Sequence, residues 1–317
     1  MKVHKNPDSL PSFRHAVITV GTFDGVHRGH QKLIERIRQL ADETRGESVL
    51  ITFDPHPRTI VFPNDDTLRL LSTTNEKIQL LEKLGVDHLV IVPFTKEFSI
   101  LSARDYVEKF LVEKFHPAII VIGYNHQFGH HRDGNIELLR KLADENNFRV
   151  EEIPKQIVDD IEVSSTRIRI ALQEGDVKTA SHLLGYFYSV SGIVAKGNQL
   201  GRKLGYPTAN IIPADKYKLI PADGVYAIKI ILSDRVHLEG NEKRNGVMSI
   251  GMRPTVNGTY RTIEAFIFDF NDDIYEKEIT VEFIEWIREE RKFETLDLMV
   301  SEIRKDEREA KKILSEK

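Results

Sequence analysis

Two histidines, His27 and His30, lie in a glycine-rich segment whose residue types suit the binding of phosphate. The segment GTFDGVHRGHQ, Gly21 to Gln31, follows a short apolar run and leads into a helical pattern. Gly25 and Gly29 allow the backbone to turn tightly and to approach a ligand closely. The start of the helix adds free N–H groups and a positive dipole end, and both imidazoles can donate to phosphate oxygens. The segment therefore predicts a phosphate site, although a glycine-rich connection with two solvated histidines would explain each residue taken singly.

Three more segments carry polar side chains that could converge on the same ligand. Thr52 to Arg58 (TFDPHPR) and Gly123 to Asn135 (GYNHQFGHHRDGN) each follow an apolar run, and Val163 to Arg169 (VSSTRIR) opens a helical pattern. Ligands of open α/β sheets gather at the carboxyl ends of the strands. We expect Ser165 to cap the helix and Arg169 to clamp phosphate with its planar fork. Taken alone, the third segment is better explained by an ordinary cap followed by surface arginines.

A second glycine-rich segment, Gly197 to Asn210 (GNQLGRKLGYPTAN), indicates a site of a different kind. Its three glycines would form a loop whose N–H groups can wrap phosphate. Thr208 and Asn210 are two residues apart, so they share one face of an extended strand. A hydroxyl and an amide oxygen are hard ligands, suited to Mg²⁺ held partly by ATP phosphates. A long hairpin turn with ordinary turn residues explains the segment equally well by itself.

Glu264 stands in an apolar strand pattern, IEAFIFDF, from Ile263 to Phe270. Alternation puts this glutamate on one face with Phe266 and Phe268. An ionised carboxylate among such neighbours is costly unless it has partners, and a carboxylate held in this way can serve as a general base. A glutamate at a strand end that reaches solvent is the simpler alternative.

The first half of the chain alternates apolar runs with helical patterns, which predicts an α/β fold with a parallel sheet covered by helices. The predicted strands are 16–20, 48–53, 87–92, 118–123 and 148–153, and the predicted helices are 29–40, 76–84, 103–114, 135–145, 165–172 and 177–184. Beyond Gly185, strand-like runs separated by turn residues favour an antiparallel barrel or sandwich, followed by a helix from about Leu296. We therefore predict two domains, 1–185 and 186–317.

The composition excludes several classes of function. The chain has 317 residues, 40% of them hydrophobic, which is enough for two packed cores, and it has no cysteine for a disulfide, a thiolate metal site or a cysteine nucleophile. Its formal net charge of -4 gives no general attraction to nucleic acid or to an anionic membrane. No signal-peptide pattern and no apolar run of membrane-spanning length occurs. We expect a cytoplasmic protein that binds small molecules, with a weak homo-oligomer left open.

In order along the chain, HxGH, TFDPHP, G-Y-N-x-x-FG and SSTxIR resemble the FMN adenylyltransferase half of bacterial bifunctional riboflavin kinase/FAD synthetases. The resemblance covers the first domain and implies a Rossmann-like nucleotidylyltransferase fold, in which His27 and His30 stabilise charge as FMN phosphate attacks the α-phosphorus of ATP. The residues that it implies for ATP and phosphate binding are Gly21, Phe23, Gly25, Gly29, Ser165, Thr166 and Arg169. The residues that it implies for flavin binding are His56, Asn125 and Phe128. Asn125 and Gln127 stand where the family often has Asp and Arg.

Five later segments, GRKLGYPTAN, GVYAI, SIGMRPT, IEAFIFDF and WIREERKF, resemble the riboflavin kinase module of the same enzymes. The resemblance implies a small β-barrel with a C-terminal helix, which converts riboflavin and ATP to FMN and ADP. It implies Glu264 as the base for the ribityl 5′-hydroxyl and as a flavin contact, and Arg288 as a second flavin contact. It further implies Gly197, Gly201, Lys203, Gly205, Thr208 and Asn210 for ATP and phosphates, the last two also for Mg²⁺. Ser249, Phe266 and Glu276 depart from the commoner Asn, His and Gly.

The implied ligands are thus Mg²⁺, ATP as co-substrate, and riboflavin, FMN and FAD as substrates or products. Two other functions stay open on the residues alone. One is an adenylyltransferase for another phosphate, with the barrel as a regulatory flavin-binding module. The other is a non-catalytic flavin or nucleotide sensor, against which the presence of His27, His30 and Glu264 argues.

Overall fold

The computed structural model describes residues 1–124, 126–155, 157–158, 161–196, 205–232, 242–255 and 258–316. Contacts between residues divide the chain into two compact units, Met1–Ser165 and Thr166–Lys317. Each unit has its own six-stranded sheet, parallel in the first and antiparallel in the second.

The first unit contains a six-stranded parallel sheet, as its alternating pattern predicts. The strands are β1 (Lys2–His4), β2 (Val17–Val20), β3 (Ser48–Asp54), β4 (His88–Pro93), β5 (Ile119–Gly123) and β6 (Arg149–Ile153), in the spatial order β1-β4-β3-β2-β5-β6. A two-stranded antiparallel sheet follows, made of β7 (Ile157–Val158) and β8 (Ile161–Glu162). The pattern did not predict β1, which is three residues long and pairs in parallel with β4.

The helices of the first unit cover both faces of the sheet. They are α1 (Arg28–Thr44), α2 (Pro57–Val61), α3 (Thr74–Lys83), α4 (Lys96–Ser99), α5 (Ala103–Asp105), α6 (Glu113–Phe115) and α7 (Ile136–Asn146). Along β2, Val17 packs into one apolar cluster and Ile18 into the other, so alternate strand residues serve opposite layers. This explains why the strands are apolar at successive positions rather than at every second one.

The predicted helix 103–114 is only partly α-helical. Its middle section, Tyr106–Val112, is π-helical and joins α5 to α6. A π-helix has i→i+5 rather than i→i+4 hydrogen bonds, which widens the turn. The section buries Tyr106 and Phe110 against the sheet, so the apolar spacing survives the change of helix type.

The strand order creates a crevice at the carboxyl ends of two central strands. From β2 the chain adds β3 and β4 on one side, and then crosses to add β5 and β6 on the other. Open α/β sheets bind ligands at such a switch point. The segments after β2 and β5, which the sequence singles out for phosphate and flavin, begin at this edge.

The second unit is a closed antiparallel barrel preceded by two helices and followed by one. It comprises α8 (Ser165–Gln173), of which Ser165 falls in the first unit, α9 (Val177–Leu184), β9 (Ser189–Ala195), β10 (Thr208–Pro213), β11 (Gly224–Leu232), β12 (Glu242–Thr255), β13 (Gly258–Ile267), β14 (Glu278–Arg288) and α10 (Leu296–Ser315). The strands close in the order β10-β13-β12-β11-β14-β9. On the outside, α10 packs Ala310 and Leu314 against Ala227 and Ile284. The structure thus confirms a barrel with a C-terminal helix and excludes the sandwich alternative.

Candidate active sites

The loop after β2 has a conformation that two apolar side chains fix from inside. Phe23 and Val26 have φ values of 46° and 38°, which is unusual for residues with a side chain and most unusual for a β-branched one. Both residues are only 1% exposed, so burial of their side chains compensates the backbone strain. Gly25, with φ of 79°, completes the turn without a side-chain penalty. Two buried side chains and a glycine thus determine the shape of this loop.

Four hydrogen bonds hold this loop to neighbouring segments. One carboxylate oxygen of Asp24 accepts the N–H groups of Leu71 and Ser72, at 2.9 and 3.0 Å. The Ser72 hydroxyl accepts the N–H of Gly25 at 3.0 Å, and the Ser165 hydroxyl donates to the Asp24 carbonyl at 2.9 Å. Ser165 is itself the first residue of α8. The Ser165 hydroxyl therefore contacts the loop that carries the proposed phosphate site.

His27 and His30 meet at the N-terminus of α1. His27 is the N-cap residue, and its Nδ1 accepts the backbone N–H of His30 at 3.3 Å, which leaves its Nε2 to carry the proton. The two rings stack with centroids 3.6 Å apart and planes 15° apart. A Cβ on Gly29 would lie 3.2 Å from the His27 ring, so glycine between the histidines lets the rings take this arrangement.

The electrostatic environment keeps His30 neutral. Burial is the main cause that lowers its pKa well below the ordinary value, and the neighbouring His27 and Lys77 lower the pKa further. Its Nδ1 is buried and has no hydrogen-bond partner among the described residues. A neutral imidazole with an unused ring nitrogen can still hydrogen-bond a ligand oxygen in the appropriate tautomer. Together with the positive dipole end of α1, His30 makes this place suitable for an anion.

Lys77 is a residue of this site that sequence reasoning missed. It lies in α3, is 6% exposed, and donates from Nζ to the hydroxyl of Thr52 at the end of β3. The sequence does contain a sign of this role. Lys77 stands four residues before the buried Leu81, on the face of α3 that should be apolar. A lysine that interrupts an apolar stripe is a candidate for a buried functional charge.

The remaining predicted residues of the first site are distributed more widely. His56 is the N-cap of α2, and its Nδ1 accepts the N–H of Arg58 at 3.2 Å. Phe128 is 6% exposed and stacks on Tyr106 within the core, with ring centroids 5.5 Å apart. Asn125 lies outside the described residues. Thr166 and Arg169 belong to α8, where Thr166 is exposed and Arg169 half-buried.

On the barrel, Thr208, Asn210 and Glu264 lie side by side on one face. Asn210 of β10 pairs directly with Glu264 of β13, and Thr208 pairs with Phe266. The Thr208 hydroxyl donates to a Glu264 carboxylate oxygen at 3.4 Å. Ser249 of β12 pairs with Glu264 from the other side. Thr208, Asn210 and Glu264 are each half-buried, so a ligand can reach a hydroxyl, an amide and a carboxylate at once.

The apolar pattern around Glu264 differs in part from the expected one. Ala265 and Ile267 face the barrel interior, with 0% and 5% exposure, as alternation predicts. The strand ends at Ile267, however, so Phe268 follows it in a turn and packs with α10 instead.

The glycine-rich loop before β10 is described only in part. Gly197, Gly201 and Lys203 lie outside the described residues, whereas Gly205 has a φ of 83°. A left-handed conformation at that position is the one for which glycine is suited.

Arg288 forms a largely buried ion pair that joins the barrel to its C-terminal helix. Its guanidinium donates from Nε and Nη2 to the two carboxylate oxygens of Asp306 in α10, at 2.8 and 2.7 Å. A third donor, Nη1, binds the carbonyl of Glu289 at 2.8 Å. Three of the five N–H donors are thus occupied within the barrel unit. The structure therefore assigns Arg288 an anchoring contact that the sequence did not predict.

Breaking the Arg288–Asp306 pair should destabilise the barrel. The side chains are 14% and 7% exposed, and Glu302, 3.8 Å from the Arg288 Nε, would remain as the second carboxylate, so Asp306→Asn should cost about 1.5–3 kcal/mol of unfolding free energy, as for lost hydrogen bonds to a charged group. Thermal unfolding followed by circular dichroism measures this loss. Glu307→Gln, which removes a more exposed pair with Lys311, is the matched control and should cost at most about 1 kcal/mol. If Asp306→Asn melted like the control, the anchoring role would be wrong.

The oxygen donors of the barrel site fit a hard cation better than a transition metal. A hydroxyl, an amide and a carboxylate provide oxygen ligands of the kind that Mg²⁺ takes alongside substrate phosphates. In the part of the chain that the structure describes, no cluster of three or more His, Asp or Glu side chains could hold a metal by itself. A site of this kind would need the substrate to complete the coordination.

Comparisons with known proteins match both units. The family model for FAD synthetase matches residues 10–167, and that for riboflavin kinase matches residues 184–314. The bifunctional riboflavin kinase/FMN adenylyltransferase of Haemophilus influenzae is 37% identical over 294 residues, which is 93% of this chain and 92% of the relative. The enzyme of the same name from Escherichia coli K12 is 32% identical over 291 residues, which is 92% of this chain and 90% of the relative.

A solved structure matches the whole fold. It is that of a protein from Streptococcus pneumoniae described as a macrolide-efflux protein, with 31% identity, a TM-score of 0.86, and coverage of 98% of each chain. Within the residues described here, no helix is long and apolar enough to cross a membrane. The curated relatives share more than 30% identity with this chain over more than nine-tenths of its length, and the two family models match its two halves. The chain belongs to the family of bifunctional riboflavin kinase/FMN adenylyltransferases.

Proposed function

We propose that the barrel unit phosphorylates riboflavin to FMN and that the parallel-sheet unit adenylylates FMN to FAD. The observation that carries the proposal is the pair of family matches, over 10–167 and 184–314, because each match contains one constellation suited to phosphate chemistry. The histidine pair at the start of α1 falls in the first match, and Thr208, Asn210 and Glu264 fall in the second. The two activities use ATP differently, one breaking its γ-phosphoryl bond and the other its α-phosphoryl bond.

In the kinase reaction, Glu264 takes the proton of the ribityl 5′-hydroxyl. The hydroxyl oxygen then attacks the γ-phosphorus of ATP, and ADP leaves. The position of Glu264 supports this role, because the Thr208 hydroxyl hydrogen-bonds its carboxylate and the paired Asn210 adds a polar neighbour on the same face. A positioned base of this kind typically contributes about 10²–10⁴-fold to a rate. Thr208 and Asn210 are well suited to bind Mg²⁺, which when bound would neutralise charge on the transferring phosphate.

In the adenylylation reaction, an oxygen of the FMN phosphate attacks the α-phosphorus of ATP, and pyrophosphate leaves. No protein nucleophile is required, so positioning and charge stabilisation supply the rate. His27 and His30 donate hydrogen bonds to the phosphates, and the N-terminus of α1 adds N–H groups. The Nδ1 of His30 is buried and has no partner in the described ranges, which supports this assignment, since a ligand oxygen would satisfy it.

The remaining assignments complete the proposal. We assign Gly21, Phe23, Gly25, Gly29, Ser165, Thr166, Arg169, Gly197, Gly201, Lys203 and Gly205 to ATP and its phosphates, and His56, Asn125, Phe128, Glu264 and Arg288 to the flavin. The functional boundary lies near Gly185, in keeping with the start of the second family match at residue 184. An enzyme of these substrates needs no nucleic acid or membrane, and we place it in the cytoplasm.

Chromatography of the products tests the whole scheme. Purified protein is incubated with riboflavin, ATP and Mg²⁺, and samples are taken over time. FMN should appear first and FAD should follow, with ADP and pyrophosphate as the companion products. If riboflavin were never phosphorylated while added FMN became FAD, the barrel would be a flavin-binding module rather than a kinase.

A further inference from the structure

Lys77 of α3 carries an ammonium group into the interior of the first unit, where the residue is only 6% exposed. Within the described part of the chain, the ammonium group makes one hydrogen bond, a long one of 3.3 Å from Nζ to the Thr52 hydroxyl. An ammonium has three donors, so two are left without a protein acceptor there. Asp24 and Asp54 attract the charge through space. Few protein groups in the described residues therefore offset the buried charge of Lys77.

A buried charge with sparse compensation weakens the folded state. Moving an ammonium out of water costs several kcal/mol even after the protein relaxes, unless good partners offset the cost. Burial is accordingly the largest influence on Lys77 and lowers its pKa, against the opposing attraction of Asp24 and Asp54. Folding alone gives no reason for a lysine at this place, because methionine would fill the same volume without the charge. An anionic ligand would supply the missing partner.

The surroundings of Lys77 show where such an anion would lie. Thr52, which holds the ammonium, stands near the carboxyl end of β3, and its hydroxyl also donates to the carbonyl of Thr22 in the loop after β2. The charge of Lys77 is close enough to His30 to lower the pKa of that histidine. The Nδ1 of His30 is also buried, and none of the residues that the structure describes hydrogen-bonds to it. A cation and an imidazole thus lie near each other and near the loop after β2, which leaves the sheet at its switch point.

We propose that Lys77 binds a phosphate oxygen of the substrate beside His30 during adenylyl transfer. This inference rests on the proposed adenylylation of FMN in the same unit. Two sources of the oxygen share this chemistry, the triphosphate of ATP and the monophosphate of FMN. In either case the ammonium offsets negative charge as the two phosphates approach, which electrostatic repulsion otherwise opposes.

Lys77→Met tests the proposal in the full-length protein. Methionine keeps the length of the side chain and removes the charge, so FAD formation from added FMN and ATP should lose about 10²–10³-fold in kcat/KM. FMN formation from riboflavin should stay unchanged, because the kinase residues lie in the other unit. The Tm of the variant should equal or exceed that of the wild type, since a buried charge has been removed. Lys83→Met, an exposed lysine of the same helix, is the matched control and should change neither activity.

The kinetic constants identify the source of the phosphate oxygen. A rise in KM for ATP with an unchanged KM for FMN assigns the contact to the triphosphate, and the reverse assigns it to the flavin phosphate. A fall in kcat alone assigns it to the transition state, and each of these results supports the proposal.

Two results would overturn the role of Lys77. One is a Lys77→Met variant whose kcat/KM values for ATP and FMN stay within threefold of the wild type. The other is a loss of FAD formation that accompanies a lowered Tm, since the lysine would then stabilise the fold rather than bind substrate. A wild type that forms no FAD would contradict the proposed function and this inference together, whereas a wild type that forms FAD beside a fully active Lys77→Met contradicts the inference alone.

Discussion

Glu264→Gln should abolish the formation of FMN from riboflavin while FAD still forms from added FMN. Glutamine has the same shape as glutamate and can keep the contact with Thr208, but it cannot take a proton from the ribityl hydroxyl. The kinase rate should fall by about 10²–10⁴-fold, which is the usual contribution of a general base. Initial rates of formation of FMN and FAD together, measured by chromatography at saturating ATP, give this factor directly.

A control on the same barrel separates this effect from a general disturbance. Glu282 of β14 is also a partly buried barrel glutamate, with its side chain 18% exposed and paired with Lys243. Glu282→Gln removes the same charge away from the proposed site, so its kinase rate should match the wild type. If Glu264→Gln kept a rate within about twofold of Glu282→Gln, another group would have to be the base.

The parallel sheet could be predicted because its strands are buried on both faces. Val17 and Ile18 pack into different apolar layers, so the run of β2 is apolar at successive positions, apart from Thr19, and is distinctive in the sequence. The first strand is different. Residues 2–4 (KVH) have neither length nor period, and β1 forms because β4 offers an edge with which to pair. Pairing between distant segments leaves little trace in so short a stretch.

In the barrel, alternation predicts which residues share a face but not which residues are opposite each other. Alternation predicts Thr208 and Asn210 on one face of their strand, and Glu264 on one face of another strand with Phe266 and Phe268. The sequence gives no register between β10 and β13, and a slip of one residue would turn Glu264 away from Asn210. The observed register, with Asn210 opposite Glu264, joins two separate predictions into one site.

Burial and charge in the first site could be predicted even less well. The spacing of His27 and His30 makes them neighbours on a helix start, but it does not reveal that their rings stack or that His30 is kept neutral. The neutral state of His30 depends mainly on its burial, and also on His27 and on Lys77, which reaches the site from α3, a helix that the sequence presents only as amphipathic. Residues from distant segments set the electrostatics of this site, so the structure is needed to find them.

His30→Ala should stop the reaction at FMN. Removing one positioned donor from a charge-stabilising site commonly costs about 10²–10³-fold in rate, so riboflavin should accumulate as FMN with little FAD. The substitution is clean, because the hydrogen bond that caps α1 runs from the backbone N–H of residue 30 to His27 and survives it. Alanine is also the best helix former for this position. His27→Ala would be less informative, since it also removes the cap.

Three measurements on His30→Ala distinguish a chemical role from a structural one. The kinase rate should equal that of the wild type, and the Tm should change little because the cap is intact. His182→Ala, an exposed histidine of α9, is the control and should form FAD normally. His30→Gln, which keeps an N–H donor of similar reach, should recover part of the lost rate, because the assigned role requires a hydrogen-bond donor and no proton transfer. Continued FAD formation by His30→Ala at the wild-type rate would remove His30 from the adenylyl-transfer site and leave Lys77 without its proposed neighbour.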